Sequence, residues 1–392
     1  MTTKIDLIPR FGSPGNLKED VGERRAWIEE KTHTPLRHVG SFSIPSEQTT
    51  GNIENMIGVC QMPVGIAGPL LIRGEHAQGE FYIPLATTEG ALVRSFERGM
   101  IVITKAGGAQ VRVLNDHVHI SPFFRLSSLD ASVRFGQWVK ENFDSVKKEA
   151  ESTTRHGKLL GIRPYIFGRS VILNFDYFAG DAMGLNMITV ATDRACRYIV
   201  SRQPVEKWFI ESNLSSEKKV SAFNLIQGKG KEVVAEAVLP QKLVKRNLHT
   251  TPAEMVDAFH ALRAGAVKAG ISAPNAHFAN GLTALFMACG QDVASVANCA
   301  AGFTQLELAS SGDLYISVCL PSLILGTIGG GTALGTHREC LEMLGCYGAG
   351  KAKKLAEIAA ATVLAGEISI FAAIVAGEFA SAHDQYGRNR PE

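Results

Sequence analysis

The run Ala356-Glu357-Ile358-Ala359-Ala360-Ala361-Thr362-Val363-Leu364-Ala365-Gly366-Glu367-Ile368-Ser369-Ile370-Phe371-Ala372-Ala373-Ile374-Val375-Ala376-Gly377-Glu378-Phe379-Ala380 is the most hydrophobic part of this 392-residue chain. It is rich in Ala, Ile and Val, yet Glu357, Glu367 and Glu378 interrupt it. The uninterrupted apolar stretches fall short of the roughly 20 residues that a bilayer-spanning helix needs. The composition therefore predicts a helix buried in a large protein core, with no membrane role. Glu367 and Glu378 lie about three helical turns apart and share one stripe, which predicts a polar seam or a subunit contact.

Outward from that helix, the chain divides by texture. As far as about Gln48 it is mostly charged or polar, with a short helical piece near Glu23 to Lys31, and reads as an arm or cap. From Asn52 to Arg112 it turns apolar and Gly-rich. There Thr87-Thr88 is suited to capping a helix from Glu89 to about Lys105, on which Leu92, Ser95, Phe96 and Gly99 form a close-packing face. Between Asn115 and about Ile210, strand-like runs (Tyr165-Ile166-Phe167, Ser170-Val171-Ile172-Leu173-Asn174-Phe175) alternate with helical ones (Ala131 to Ser152, Met187 to Ser201), as in a small α/β domain. After Glu217-Lys218-Lys219 the chain becomes helical and Ala/Gly-rich again. No internal repeat or low-complexity tract stands out.

Composition bounds the function only loosely. With 45% hydrophobic and 20% charged residues and a net charge of +2, the chain is a soluble globular protein large enough for two domains, with no sign of a nucleic-acid partner. The seven cysteines are an odd number without metal-ligand spacing and predict reduced cytoplasmic thiols. The opening residues have no apolar run of signal-peptide length.

Four short stretches carry the chemistry: Ala86-Thr87-Thr88-Glu89-Gly90, Glu217-Lys218-Lys219, Gly290-Gln291-Asp292, and His383 ahead of a polar tail. They supply acids, a cation and an imidazole. Their apolar or Gly-rich surroundings predict burial, which would shift the pKa values of the acids and the lysine and make proton transfer useful near neutral pH. Such a set suits reduction of a carbonyl or thioester. Each residue alone has an ordinary explanation: a first-turn Glu, a solvated Lys-Lys turn, a Gly-Gln-Asp turn and an exposed terminal His. A buried Asp292 needs a partner, and lysine is the natural one.

Other chemistries lack support. No Gly-x-Gly-x-x-Gly follows a strand, and no Gly-x-Ser-x-Gly elbow occurs. Gly345 to Ala352 nearly spells a P-loop, but Ala352 stands where Ser or Thr would hold Mg²⁺. Asp116, His117 and His119 could suggest a metal, yet strand alternation explains two histidines on one face and no third lies near in sequence. No metal is expected.

The spelling of these stretches, with Glu54-Asn55-Met56-Ile57-Gly58, Pro63-Val64-Gly65-Ile66-Ala67-Gly68-Pro69, Asp181-Ala182-Met183-Gly184-Leu185-Asn186-Met187 and Gly326-Thr327-Ile328-Gly329-Gly330-Gly331-Thr332, resembles the 3-hydroxy-3-methylglutaryl-CoA reductase family, in its soluble, class I-like form. The resemblance runs from about Glu54 to His383. It implies an α+β fold: a large, mostly helical domain built around a central helix (50–113 and 222–392), carrying an inserted small α/β, ferredoxin-like cofactor domain (114–209). A helical arm (1–49) and a catalytic linking loop (210–221) complete the layout.

The implied reaction is the NADPH-dependent four-electron reduction of hydroxymethylglutaryl-CoA to mevalonate and CoA, with two NADPH per turnover and no metal. By resemblance Lys218 stabilises each oxyanion, Glu89 donates a proton, Asp292 tunes both, and His383 protonates the departing CoA thiolate. Arg112, Asn280 and Lys219 match substrate contacts, and Ser95 and Arg98 fall where the family meets CoA. Thr154 and Arg155, Asp181, Met183, Asn186 and Gly329-Gly330-Gly331 match the cofactor site. A homodimer or larger assembly in the cytoplasm, with the active site at the subunit interface, is also implied.

Two departures from the family pattern stand near the acyl end. Glu211-Ser212-Asn213 replaces the usual Ser-Gly-Asn, and His260 falls where some members have a substrate-binding lysine. They leave open a different 3-hydroxyacyl-CoA as substrate, or a non-catalytic acyl-CoA or nucleotide-binding homologue.

Overall fold

The computed structural model describes residues 7–12 and 15–378. In chain order the first half comprises α1 (Lys18–Thr32), β1 (Val64–Arg73), β2 (Gln78–Ala86), α2 (Leu92–Lys105), β3 (Ala109–Ile120), β4 (Phe123–Arg125), α3 (Leu129–Glu141), α4 (Phe143–Glu151), β5 (Lys158–Phe167), β6 (Ser170–Phe178), α5 (Leu185–Arg202) and β7 (Lys207–Phe209). The second comprises α6 (Ala222–Gln227), β8 (Gly230–Leu239), α7 (Gln241–Leu248), α8 (Pro252–Lys268), α9 (Phe278–Ala288), α10 (Val296–Cys299), β9 (Phe303–Leu308), β10 (Leu314–Leu323), α11 (Gly335–Met343) and α12 (Ala352–Val375). Short 3₁₀ turns supplement them.

The fold is mixed α+β around one ten-stranded sheet whose main path runs β7-β4-β6-β3-β8-β10-β9. β1 joins β2 and β3, β5 joins β6, and among the described residues every pairing is antiparallel except the short one between β1 and β3. The stretch after residue 222, expected to be mostly helical, contributes β8, β9 and β10. Their two-residue alternation (burial inward at Val233, Ala235, Ala237 and Leu239) lies inside Ala/Val-rich text that also suits a helix.

Strand β3 is the hinge of the architecture. Gln110 to His117 pairs with β8, whereas Val118 to Ile120 pairs with β6. Two hydrophobic cores lie on either side of that change of partner. One gathers residues from Ala67 to Val111 and from Val233 to Ala372, and the other from Val118 to Ile199.

Helix α12 is the apolar run read above, and it is almost wholly buried against α2, α9, α8 and strands β8, β10, β3 and β1. Its contact with α2 is backbone-close: a Cβ on Gly99 would stand 1.9 Å from the Ala365 carbonyl oxygen, so only glycine fits. Phe96 lies against Gly366 and Gly281, and Ser95 Oγ is 3.0 Å from Ser369 Oγ. Two carboxylates of α12 are fully buried. Glu357 accepts the amides of Glu75, His76 and Ala77, and Glu367 accepts those of Ala276 and His277 with the Thr304 hydroxyl. Each anion is satisfied by several donors, which is the condition for burying one at all.

Candidate active site

The lysine at the centre of the expected chemistry sits on the loop between β7 and α6. Three residues there, Asn213 (φ 66°), Ser216 (φ 47°) and Lys218 (φ 55°), have left-handed backbone. Such a conformation costs a non-glycine residue on the order of 1 kcal/mol and persists only where the surroundings over-determine it. They do. Asn298 donates its side-chain amide to the carbonyls of Ser216 and Lys219, both at 2.9 Å, and Asn224 adds a longer bond to Ser216. The Glu211 carboxylate accepts the amides of Ser212 and Asn213 and the Ser215 hydroxyl, so this departure from the family pattern is absorbed in shaping the loop.

Beneath the loop lies a fully buried lysine that sequence reasoning missed. Lys229 Nζ is 2.6 Å from Glu217 Oε2 and donates to the Ser215 carbonyl at 3.1 Å. Burial pulls its pKa below the ordinary lysine value, with Glu217 acting in the opposite sense. The signal was a lysine flanked by Gly228 and Gly230, both at positive φ, where the chain enters a strand. Asn298, isolated among apolar residues in α10, was a second overlooked sign.

Lys218 Nζ meets Asp292 Oδ2 at 2.8 Å, with the two side chains 43% and 29% exposed. The other Asp292 oxygen accepts the Ala294 amide. Asp292 is set by a left-handed turn at Gly290, where a Cβ would stand 2.6 Å from the Gly331 carbonyl oxygen. Gln291 Oε1 accepts the Gly326 amide at 2.8 Å, so the lysine–aspartate pair is fastened to the Gly326 to Gly331 segment.

Glu89 lies elsewhere. The helix expected to start at Glu89 starts at Leu92, because Ala91 is left-handed (φ 68°) and the Thr87 hydroxyl takes the Glu89 amide in a tight turn. Glu89 thus precedes the helix and is exposed, as Lys218 in part is, so the burial predicted for the group is absent within one chain. Its carboxylate accepts the Asn280 side-chain amide at 3.0 and 3.3 Å. Both residues line a cavity of about 870 Å³ together with Ser95, Arg98, Arg263 and His277. Arg98 is held by Ser369 and by Glu378 at 2.7 Å. A hydrogen bond from His249 and the Arg98 charge keep the Glu378 carboxyl below its usual range. His260 is exposed and absent from the cavity wall, and the cation on that wall from α8 is Arg263.

Among the described residues no hydrogen bond or ion pair joins Glu89 to Lys218 or Asp292. Helix α9 explains the separation: Asn280 lies in its first turn and Asp292 beyond its last, and the eight-residue advance from 280 to 288 alone spans about 12 Å. The expected triad is therefore two pairs, Glu89 with Asn280 and Lys218 with Asp292. Arg112 is exposed on β3, bonded to the carbonyls of Arg73 and Val111, and Lys219 Nζ turns back to the Glu217 carbonyl. His383 lies outside the described residues.

The expected cofactor residues do gather. The Thr327 amide donates to the Asp181 carbonyl at 2.8 Å, and a Cβ on Gly326 would meet the backbone of Asp181 to Met183. The Thr154 hydroxyl is 3.1 Å from the Met187 sulfur, which brings the loop of Arg155 beside the start of α5, where Asn186 is exposed. Gly329 and Gly330 leave open space where side chains would stand. The Asp181 carboxylate, however, is engaged by the amides of Gly350 and Ala352 at the start of α12. Burial opposes its charge, but these donors together with Lys351 hold its pKa below the usual value.

A third polar cluster lies where β3 changes partners. His117, His119 and Asp176 bring one ligand-type atom each within 4.8 Å of one another. Strand alternation does put both histidines on one buried face. The adjacent Asp116 pairs instead with Lys231 at 3.2 Å. Burial, aided by the Lys229 charge, pushes the His119 pKa down to about 3, whereas the Asp176 carboxylate facing His117 raises that of His117 against the effect of burial.

A sequence-family model described as hydroxymethylglutaryl-coenzyme A reductase matches residues 20–388. The chain is 46% identical over 373 residues to a Methanocaldococcus jannaschii protein described as 3-hydroxy-3-methylglutaryl-coenzyme A reductase, covering 93% of this chain and 92% of that one. A Pyrococcus horikoshii protein of the same description is also 46% identical, with 93% and 91% coverage. In three dimensions the chain is similar to a class II 3-hydroxy-3-methylglutaryl-CoA reductase from Streptococcus pneumoniae bound to NADPH, with a TM-score of 0.68, 17% identity, and coverage of 93% and 100%.

Proposed function

This chain belongs to the hydroxymethylglutaryl-coenzyme A reductase family, and on that premise we propose that it reduces hydroxymethylglutaryl-CoA to mevalonate and CoA, consuming two NADPH and two protons. The observation that carries the reading is Lys218: an ammonium held 2.8 Å from Asp292 on a strained loop, fastened to a Gly-rich segment whose backbone is open to a ligand.

The cofactor would rest on Gly329, Gly330 and Met183, with its phosphates toward Arg155 and the first-turn amides of α5, a helix with no acid in its first turn. When bound, the nicotinamide supplies hydride to the thioester carbon and, in a second round, to the aldehyde carbon. Lys218 stabilises the oxygen that becomes negative in each reduction, as a compact charge that a second copy of the chain would shield from water. Asp292 keeps that ammonium charged and aimed. Glu89 donates the proton to the alcohol oxygen, and His383 the proton taken by the thiolate as the C–S bond breaks.

Because α9 keeps the Glu89 and Lys218 pairs apart, the complete site on this reading joins Glu89, Asn280 and the cavity of one chain to Lys218 and Asp292 of a second copy, in a homodimer or larger assembly. The acyl-CoA occupies the cavity, with Ser95 and Arg98 at its CoA end and Arg112 and Lys219 reaching the acyl carboxylate from the other chain. The reading further comprises a cytoplasmic protein and a ferredoxin-like 114–209 insert carried by a large domain (50–113 and 222–392) around the helix α12.

The test follows NADPH absorbance with hydroxymethylglutaryl-CoA while counting CoA released: two NADPH oxidised per CoA is expected. Oxidation only with another 3-hydroxyacyl-CoA would transfer the reading to that substrate, and none with any thioester would leave a binding protein. Lys218→Met should lower turnover by roughly 10³-fold, with CoA binding kept.

A further inference from the structure

The cluster at the change of partners on β3 does not belong to the chemistry above. His117 and His119 are two residues apart on one strand and share a face. His119 stands directly opposite Asp176 in the antiparallel pairing of β3 with β6. Opposite His117 is Gly230, which brings no side chain into the space.

The hydrogen bonds around the three residues have a direction. His117 Nε2 lies 3.1 Å from the Gln227 carbonyl, an acceptor only, so that nitrogen carries the proton. In the neutral ring the Nδ1 lone pair then faces Asp176 Oδ1 at 3.6 Å, lone pair against anion. His119 is fully buried, and among the described residues neither of its ring nitrogens has a hydrogen bond of normal geometry, the Ser215 backbone acting on the ring only weakly. An unsatisfied buried imidazole is costly, and protonating His117 would leave His119 unsatisfied. One electropositive centre among the three satisfies both histidines and the carboxylate.

We infer that His117, His119 and Asp176 form a binding site for one divalent first-row transition-metal ion, of which Zn²⁺ is the representative. Two imidazoles and one carboxylate are a donor set suited to such an ion, and a water completes the coordination. The supports found around metal ligands are already present. The Gln227 carbonyl fixes the His117 tautomer, Asn174 donates to Asp176 Oδ1 at 3.1 Å, and Ser121 donates to Asn174 at 2.8 Å. The two nearby cations are already paired, Lys229 with Glu217 and Lys231 with Asp116, so the ion meets the unbalanced charge of Asp176. Asp176, 22% exposed, gives it a route in. The ion would join β3 to β6 between the two cores, as a structural clip with no part in hydride transfer.

The full chain, stripped with chelator and dialysed, is titrated with Co²⁺, whose visible absorption reports its ligands, and with Zn²⁺ against a chromophoric indicator. One ion per chain is expected, with a Co²⁺ spectrum of low coordination number and a melting temperature raised by Zn²⁺. His119→Phe, which keeps a ring against Phe223, and Asp176→Asn should each weaken binding at least about 100-fold, and Asn174→Ala about tenfold. Circular dichroism and NADPH turnover identify any variant that has merely unfolded. Failure to bind either ion in stripped, folded protein overturns the inference, as does equal binding by wild type and the His119→Phe and Asp176→Asn variants. Neither result bears on the reductase reading, whose test is turnover.

Discussion

Helix α12 and the 211–219 loop both bury charge, and they do so with opposite resources. Glu357 and Glu367 are neutralised mainly by backbone amides, donors fixed by the chain path itself. Lys229 depends on one side-chain carboxylate and one carbonyl, and among the described residues Glu217 Oε1 has no hydrogen-bond partner. Charge held by backbone locks a core, whereas charge held by a side chain on a strained loop can be repositioned. The reacting lysine sits on the second kind of support.

The largest effect expected to sharpen this contrast comes from α12. Glu367→Leu strands two amides and the Thr304 hydroxyl in the interior, at 1–3 kcal/mol for each unsatisfied group, and should lower stability by about 4 kcal/mol. Urea unfolding followed by circular dichroism measures it, and a loss below about 1 kcal/mol would break the comparison. Next, Lys229→Met leaves Glu217 without its cation and should cost about 2 kcal/mol, less than a wholly buried pair because Glu217 is part exposed. Adding Glu217→Gln should recover most of the loss in a double-mutant cycle, and simple additivity would mean the two are not coupled. Asn298→Ala releases the Ser216 and Lys219 carbonyls: about 1 kcal/mol of stability, but roughly tenfold in kcat with KM nearly unchanged, since it loosens the lysine's aim.

The smallest effect is acid-dependent. With its folded pKa below the ordinary carboxylate value, Asp181 adds stability that is present above the unfolded value and lost as pH falls through the folded one. The melting-temperature gap between wild type and Asp181→Asn should therefore narrow on acidification below about pH 4, and a gap that widens would reject the helix-start role.

Much of this was legible in the sequence, where a local rule applied. The apolar run with spaced glutamates announced a buried helix, and α1, α5 and strands β5 and β6 lie where the helical and strand-like runs suggested them. Resemblance singled out Lys218 and Asp292, which do pair. What failed depended on register or on left-handed backbone. The start of α2 slipped because Ala91 adopts positive φ, and no propensity signals that at alanine. Asp176 was invisible as a partner of His119 because only the β3–β6 register sets them opposite. That the Asp181 carboxylate also accepts amides at the start of α12 could not be read locally, because the contact spans 169 residues of sequence. Glu89 and Lys218 looked like neighbours until the length of α9 was set between them.

β3 is a single peptide ribbon shared by two cores. No loop separates the two pairings of β3, so a tilt of the β6 side would pass along the ribbon as twist, partly taken up at the register irregularity between Val113 and Asn115. Arg112 lies six residues from the crossover at Val118, in the segment laced to β8, and its carbonyl plane would turn with it. Loading one side of the molecule would in this way be felt at the other as torque, with no separate hinge required.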